Sequence, residues 1–216
     1  MENKLHGYRK SYEKSSLIRE NLDENPIQQF RSWFYDVEKF GGLDEANAMT
    51  VSTIGEDGFP KSRVVLLKSY DENGFVFYTN YESEKGKALL NNPHTCLSFF
   101  WPNTERQVII KGKAEKVSEE VSNNYFASRP KGSQLGALVS NQSSVIKNRK
   151  VLEDELEALE KKYADKEVPR PENWGGFLVR PESIEFWQGR PNRLHDRFQF
   201  TKSDSEYDWK IERLAP

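Results

Sequence analysis

Hydrophobic positions along this chain change their spacing several times. Ile27, Phe30, Phe34, Val37 and Phe40 recur every three or four residues, the interval of one helix face. Asn25-Pro26 supplies an N-cap followed by proline at the first helical position, and Gly41-Gly42 supplies the stop. From residue 46 to 116 the pattern is that of strands: AMTVSTI, SRVVLLKSY, GFVFYTN, TCLSFFW and RQVIIKGKAEKV. The turns GEDGFP and DENG and a short helix around SEKGKALLNN divide these runs, which predicts antiparallel hairpins. Residues 118–128 are predicted helical, with Pro130 as terminator and SRPKGS as a glycine-containing turn. Residues 148–164 form an amphipathic helix whose stripe of Leu152, Leu156, Leu159 and Tyr163 packs against the barrel or a partner. KEVPRPEN is a loop, and GGFLVRPESIEFWQG, RFQFTKS and YDWKIERLAP return to strand. Residues 1–24 are polar apart from Tyr8 and Tyr12 and read as a flexible N-terminal arm or lid; residues 25–216 read as one domain. Many short strands with few helices favour a mainly β (α+β) fold, a closed or partly closed barrel, over a doubly wound sheet.

Composition narrows the possibilities. Charged residues make up 31% and apolar residues 36%, so the core is thin and further burial in an oligomer is expected. A net charge of −2 argues against a nucleic-acid partner. The single cysteine, Cys96, lies in an apolar run and reads as an inert buried thiol; no disulfide or cysteine zinc site forms within the chain. The stretch MENKLHGYRKSYEKSS contains no apolar run, so the expectation is no signal peptide, no membrane partner and a cytoplasmic location. Neither GxGxxG after a first strand nor a P-loop is present. Three scattered histidines make a poor metal site, and no metal is expected.

The candidate chemistry lies in cations that interrupt apolar runs. In RVVLLK, Arg63 and Lys68 are five apart and point to opposite faces of a regular strand. Either each serves an anion, or a bulge brings them round, or both are solvated strand-end charges. Tyr125 and Arg129 share a helix face, with Ser133 just beyond; a phenol, a guanidinium and a hydroxyl there either bind phosphate or cap carbonyls. SNQSS offers amide and hydroxyl donors, and Gln107 starts a strand where an inward amide can read a heterocycle. RPNRLHDR is the densest cluster. On an extended segment Arg193, His195 and Arg197 share one face and Asp196 the other. Either an anion sits among these cations or Asp196 offsets a solvated strand end. Arg190 reads as solvated.

RVVLLK, FYTN, ERQV, YFASRPKGSQLGALVSNQSS, WGGF, IEFWQGRPNRLHDR and WKIERLAP occur in the order of the pyridoxamine 5′-phosphate oxidase family, also called pyridoxine 5′-phosphate oxidase. The chain resembles that family from about Arg9 to Pro216. The resemblance implies an FMN-binding split β-barrel with peripheral helices, working as a homodimer with flavin at the subunit interface and a C-terminal dimerisation region. It implies FMN-dependent oxidation of pyridoxine 5′-phosphate or pyridoxamine 5′-phosphate to pyridoxal 5′-phosphate in vitamin B6 biosynthesis and salvage. O2 is the acceptor, giving H2O2, and the amine also releases ammonia. By resemblance Arg63, the strand after it (Val64, Val65, Leu66, Leu67, Lys68) and Lys85 bind FMN, largely its phosphate. Tyr78, Thr79, Gln107, Gln142, Ser143, Trp187 and Arg197 are its other contacts. Lys68, Tyr125, Arg129 and Ser133 match the clamp on the substrate phosphate. Arg193 and His195 match the catalytic pair over the substrate ring, and Arg9 and Tyr12 the arm that closes over it. Glu84 departs from the pattern, standing where relatives often carry arginine. Two alternatives compete: another FMN-binding split-barrel reductase, which would not keep Tyr125, Arg129, Ser133 and RLHDR together, and a non-enzymatic pyridoxal-phosphate carrier, which turnover would exclude.

Overall fold

A computed structural model of the chain describes residues 5–8, 10–203 and 208–216. The helices are α1 (Pro26–Phe40), α2 (Glu84–Asn91), α3 (Glu119–Ser128), α4 (Lys131–Val139) and α5 (Lys150–Lys162). The strands are β1 (Ala48–Ile54), β2 (Pro60–Leu66), β3 (Ser69–Asp71), β4 (Gly74–Asn80), β5 (His94–Trp101), β6 (Arg106–Lys116), β7 (Trp174–Gln188), β8 (Asp196–Lys202) and β9 (Trp209–Leu214). They form one sheet in the order β2-β1-β5-β6-β7-β4-β3, with β8 added to β7 and β9 to β8. The pairs β3–β4, β4–β7, β7–β8 and β8–β9 are antiparallel, in keeping with the expected mainly β, α+β class. No helix among the described residues is long and apolar enough to cross a membrane.

The chain divides into two compact units. The first comprises Met1–Met49, Leu97–Lys111 and Pro181–Pro216. Its core is aromatic: Phe30 packs on Phe99 and Trp101, Trp33 on Phe186, and Phe186 on Phe200, with centroids 5.2–5.9 Å apart. The Asn25 side chain accepts the N–H groups of Ile27 and Gln28 and starts α1 as expected; Gly41, at φ 72°, ends it. The stripe is rotated from the predicted one. Trp33 is buried and Phe40 is exposed, because the helix turns its tryptophan toward Phe186.

The second unit comprises Thr50–Cys96 and Gly112–Arg180. Here β2 comes alongside β4 and the sheet curls. Phe126, Leu135, Val168 and Trp174 form a core against which Leu156, Leu159 and Tyr163 of α5 pack, so the predicted α5 stripe serves the fold. Two expectations are corrected in this unit. SRVVLLKSY is two strands, because Leu67 turns into the core and the Lys68 N–H donates to the Val76 carbonyl (2.8 Å). SRPKGS is not a turn: Pro130 ends α3 and immediately caps α4, placing Ser133 in a first helical turn.

Candidate active site

In the second unit β4 and β7 pair with Tyr78 opposite Gly176 and Thr79 opposite Gly175. These glycines are a requirement of space. A Cβ on Gly176 would lie 2.9 Å from the Tyr78 ring, and one on Gly175 would lie 2.2 Å from the Tyr81 hydroxyl. Freed of a neighbouring side chain, Tyr78 lies flat against Tyr125 (centroids 3.9 Å) and Trp174 (5.4 Å). This stack is one wall of a cavity of about 630 Å³, within the usual range for small-molecule sites. Val64, Val65, Leu66, Lys68, Thr79, Lys85, Arg129, Ser133 and Gln142 also line it. Eleven residues singled out from the sequence thus meet in one place, counting Tyr78 and Tyr125. The break between β2 and β3 puts Lys68 on the same cavity as Val64 to Leu66, while Arg63 lines the adjoining hollow. Leu67 is not part of it: it is buried in the core.

Among the described residues, Arg129 and Lys85 have no carboxylate partner within ion-pair distance. The Arg129 guanidinium lies 4.7 Å over the Trp174 ring, and its Nη1 is buried without a hydrogen-bond partner among the described residues. Burial lowers its pKa from the ordinary arginine value. The Lys85 ammonium donates to Gln142 Oε1 (3.0 Å) and Thr79 Oγ1 (3.3 Å), both neutral acceptors. Burial, then repulsion from Arg63, lowers its pKa, with Glu84 opposing. An adjoining hollow is lined by Arg63, Glu84, Lys87, Ser143 and Ser144. Ser143 holds φ 74° and its Oγ accepts the Glu84 N–H (3.3 Å). Glu84 does not turn to solvent. It takes Lys61 (2.5 Å) and Arg63 (3.1 Å), so a carboxylate already engages the arginine assigned to flavin phosphate.

In the first unit the dense cluster is not an extended strand. Pro191–Arg193 form a tight 3-10 turn with Asn192 and Arg193 at positive φ, and β8 starts only at Asp196. Arg193 is exposed, whereas His195 is half-buried against Trp187 (4.6 Å), with Tyr12 on both rings (5.7 and 6.0 Å). Arg190 is not solvated. Its backbone N–H donates to His195 Nδ1 (3.1 Å), its Nη1 donates to the Ser15 carbonyl (3.1 Å), and its Nε lies 3.4 Å from Asp196. Because Nδ1 accepts, the neutral ring carries its proton on Nε2. Burial, then Arg193, lowers the His195 pKa below 6.5, with Asp196 opposing. Arg197 grips both oxygens of Glu185 (2.8 and 3.1 Å) and donates to the Ala215 carbonyl (2.8 Å). Gln107 is half-buried on β6. Arg9 lies outside the described residues.

Sequence reasoning gave no role to Trp174 or Asn80, which also line the cavity. WGGF was the available signal for Trp174: an aromatic preceding two glycines that make room for rings.

The antiparallel β scaffold thus carries a cavity with an aromatic wall beside Arg129 and Lys85. Residues 37–163 match the family described as Pyridoxamine 5′-phosphate oxidase, and residues 174–216 match the Pyridoxine 5′-phosphate oxidase C-terminal dimerisation region. The chain belongs to the pyridoxamine 5′-phosphate oxidase family, and its fold is that family's split β-barrel. It is an oxidoreductase with FMN as cofactor and is a homodimer. The Pyridoxine/pyridoxamine 5′-phosphate oxidase of Flavobacterium johnsoniae is 64% identical over 213 residues, 99% of each chain. The crystal structure of PhzG from Burkholderia lata 383, in complex with tetrahydrophenazine-1-carboxylic acid, aligns with TM-score 0.86 and 25% identity, covering 94% of this chain and 98% of that one. A pyridoxamine 5′-phosphate oxidase-related, FMN binding protein from Nostoc punctiforme shares the fold, with TM-score 0.70 and 16% identity over 90% of this chain and 100% of that one.

Proposed function

We propose that this chain oxidises pyridoxine 5′-phosphate or pyridoxamine 5′-phosphate to pyridoxal 5′-phosphate in the cytoplasm, serving vitamin B6 biosynthesis and salvage. O2 is the final acceptor and leaves as H2O2; the amine substrate also yields ammonia. The observation that carries this reading is the buried Arg129 Nη1, without a partner among the described residues, in one cavity with Tyr125, Ser133 and Lys68. A guanidinium donor in that state needs an oxyanion, and a phosphate ester on an aromatic ring suits both the donor and the stacked wall.

FMN, when bound, would supply the redox chemistry as hydride acceptor. The residues fit it: Lys85, Thr79 and Gln142 gather a cation and polar oxygens at one end of the cavity, with Arg63 and Ser143 in the adjoining hollow. Val64 to Leu66, Lys68 and Tyr78 line the same cavity and give the flavin its apolar and polar flanks. Gln107, Trp187 and Arg197 of the first unit are assigned to the flavin as well, and the flavin sits where two copies of the chain meet. Lys68, Tyr125, Arg129 and Ser133 hold the substrate phosphate. That handle is remote from the reacting carbon, and its binding energy fixes the ring's placement. Arg193 and His195 face the substrate ring. With Nδ1 engaged by Arg190, His195 offers Nε2–H as a donor toward a substrate oxygen or nitrogen. Residues 1–24, with Arg9 and Tyr12, form the arm that covers the site and excludes water.

The test is to mix the purified holoprotein with pyridoxine 5′-phosphate without oxygen and follow the visible flavin band. Bleaching that reverses on admitting air, with pyridoxal 5′-phosphate formed, is the expected result. A yellow protein that does not bleach would overturn the substrate.

A further inference from the structure

Residues 10–16 contain no regular secondary structure and no buried side chain, yet Tyr12 in their midst occupies a defined place on Trp187 and His195. Something other than core packing must hold it. The holder is a carboxylate. Glu105 is 1% exposed, and a buried carboxylate without donors is costly. Among the described residues, the donors to its side chain come from this one stretch: the N–H groups of Glu13 (2.8 Å) and Lys14 (3.0 Å) on Oε2, and Lys10 Nζ 3.2 Å from Oε1. Burial on its own would raise the carboxyl pKa, but the bonds from Lys14, Lys10 and Glu13 outweigh it and hold the group below its ordinary value.

The backbone of Glu105 completes the arrangement. It sits at φ 58°, in the left-handed region that glutamate rarely adopts. Its carbonyl accepts the N–H of Gly189 (2.8 Å) and Nε2 of Gln188 (3.2 Å). Gly189 is where Tyr12 lies: a Cβ there would come 2.7 Å from Tyr12 Cγ. One residue therefore grips the segment with its side chain and the surface under Tyr12 with its main chain. Beyond Tyr12, Asp196 accepts the Leu17 N–H (3.0 Å) and fixes the far end.

We propose that Glu105 is a positioning residue, a buried latch that pins residues 10–14 and thereby sets Tyr12 against Trp187 and His195. Its catalytic consequence rests on the reading that Tyr12 and His195 face substrate.

The experiment has two arms. In the first, wild-type holoprotein, Glu105→Ala and Glu105→Gln are digested briefly with trypsin and cleavage after Lys10 and Lys14 is timed. Loss of bonds to a charged acceptor should speed cleavage about tenfold or more in Glu105→Ala, with Glu105→Gln between it and wild type. Unchanged cleavage overturns the latch. In the second arm, KM for pyridoxine 5′-phosphate is measured for Glu105→Ala, Tyr12→Ala and the double variant. The single changes should each raise KM, and the double variant should match Tyr12→Ala alone; additive effects would overturn the positioning role. Faster cleavage with no change in KM for any variant would keep the latch and overturn the substrate contact of Tyr12. If Glu105→Ala does not fold, Glu105→Gln and Lys10→Met, scored after Lys14, carry the first arm.

Discussion

Both units concentrate arginine and lysine, and they treat the charge in opposite ways. In the first unit Arg197 is held by Glu185, while Arg190 and Arg213 lie on Asp196. In the second, among the described residues, Arg129 has a buried donor with no partner and Lys85 bonds to neutral oxygens. The lesson is that density of cations along a chain does not by itself say which of them are already paired. In RPNRLHDR Asp196 takes Arg190 and Glu185 takes Arg197, while Arg193 stays exposed. The sparser cations of the second unit are the ones that call for a ligand.

Three experiments would break or sharpen this contrast. The largest effect belongs to Arg129. Arg129→Met should raise KM for pyridoxine 5′-phosphate by about 10- to 150-fold, the range of a lost charged hydrogen bond, and leave unphosphorylated pyridoxine unaffected. Equal effects on both compounds would mean that Arg129 supports the fold instead. The next concerns the first unit, where protonation must disturb an arrangement already balanced. The folded state holds the His195 pKa below 6.5, so the ring is neutral above that value and charges only as pH falls through the depressed pKa. Between that pKa and 6.5 the unfolded chain binds more protons, so stability declines there as pH drops. Protonation at Nδ1 also ends acceptance from Arg190 and adds charge beside Arg193. The kcat/KM profile should fall by about tenfold per unit on that acid limb, and His195→Asn should flatten it. The smallest effect tests a second-unit cluster whose cations, like those of the first unit, are paired with a carboxylate. Glu84 holds Lys61 and Arg63 at a partly exposed site, so Glu84→Gln should tighten FMN binding by no more than about fivefold. Riboflavin, which lacks the phosphate, should bind unchanged; quenching of flavin fluorescence on titrating apoprotein measures both.

The legible parts of the sequence were those where local chemistry decides. Asn25-Pro26 and Gly41-Gly42 bounded α1 correctly because capping and left-handed glycine act within one turn. The α5 stripe was legible for the same reason. Pro130 misled because a proline that cannot continue one helix is also suited to begin the next, and no neighbouring residue distinguishes the two uses. The break after Leu66 was invisible because RVVLLKSY has strand propensity throughout, and only the Lys68 bond to Val76 divides it. The cavity-lining residues were named from motifs recognised as a family's, and eleven of them meet as that implied. Charge pairing was not legible. Glu185 lies twelve residues from Arg197, and Glu105 more than ninety from the N–H groups it accepts, so only the fold brings them together.

The placement of the tryptophans gives the molecule its own optical gauges. Trp33 and Trp101 are sealed in the first unit's core and report on folding alone. Trp174 stands in the cavity wall under Arg129, and Trp187 lies beneath Tyr12. The emission wavelength of the first pair should shift only when the protein unfolds, whereas Trp174 should darken most as the cavity fills and Trp187 should respond when the N-terminal segment lifts. A set of single-tryptophan variants would separate occupancy, cover and stability in one emission channel without any added label.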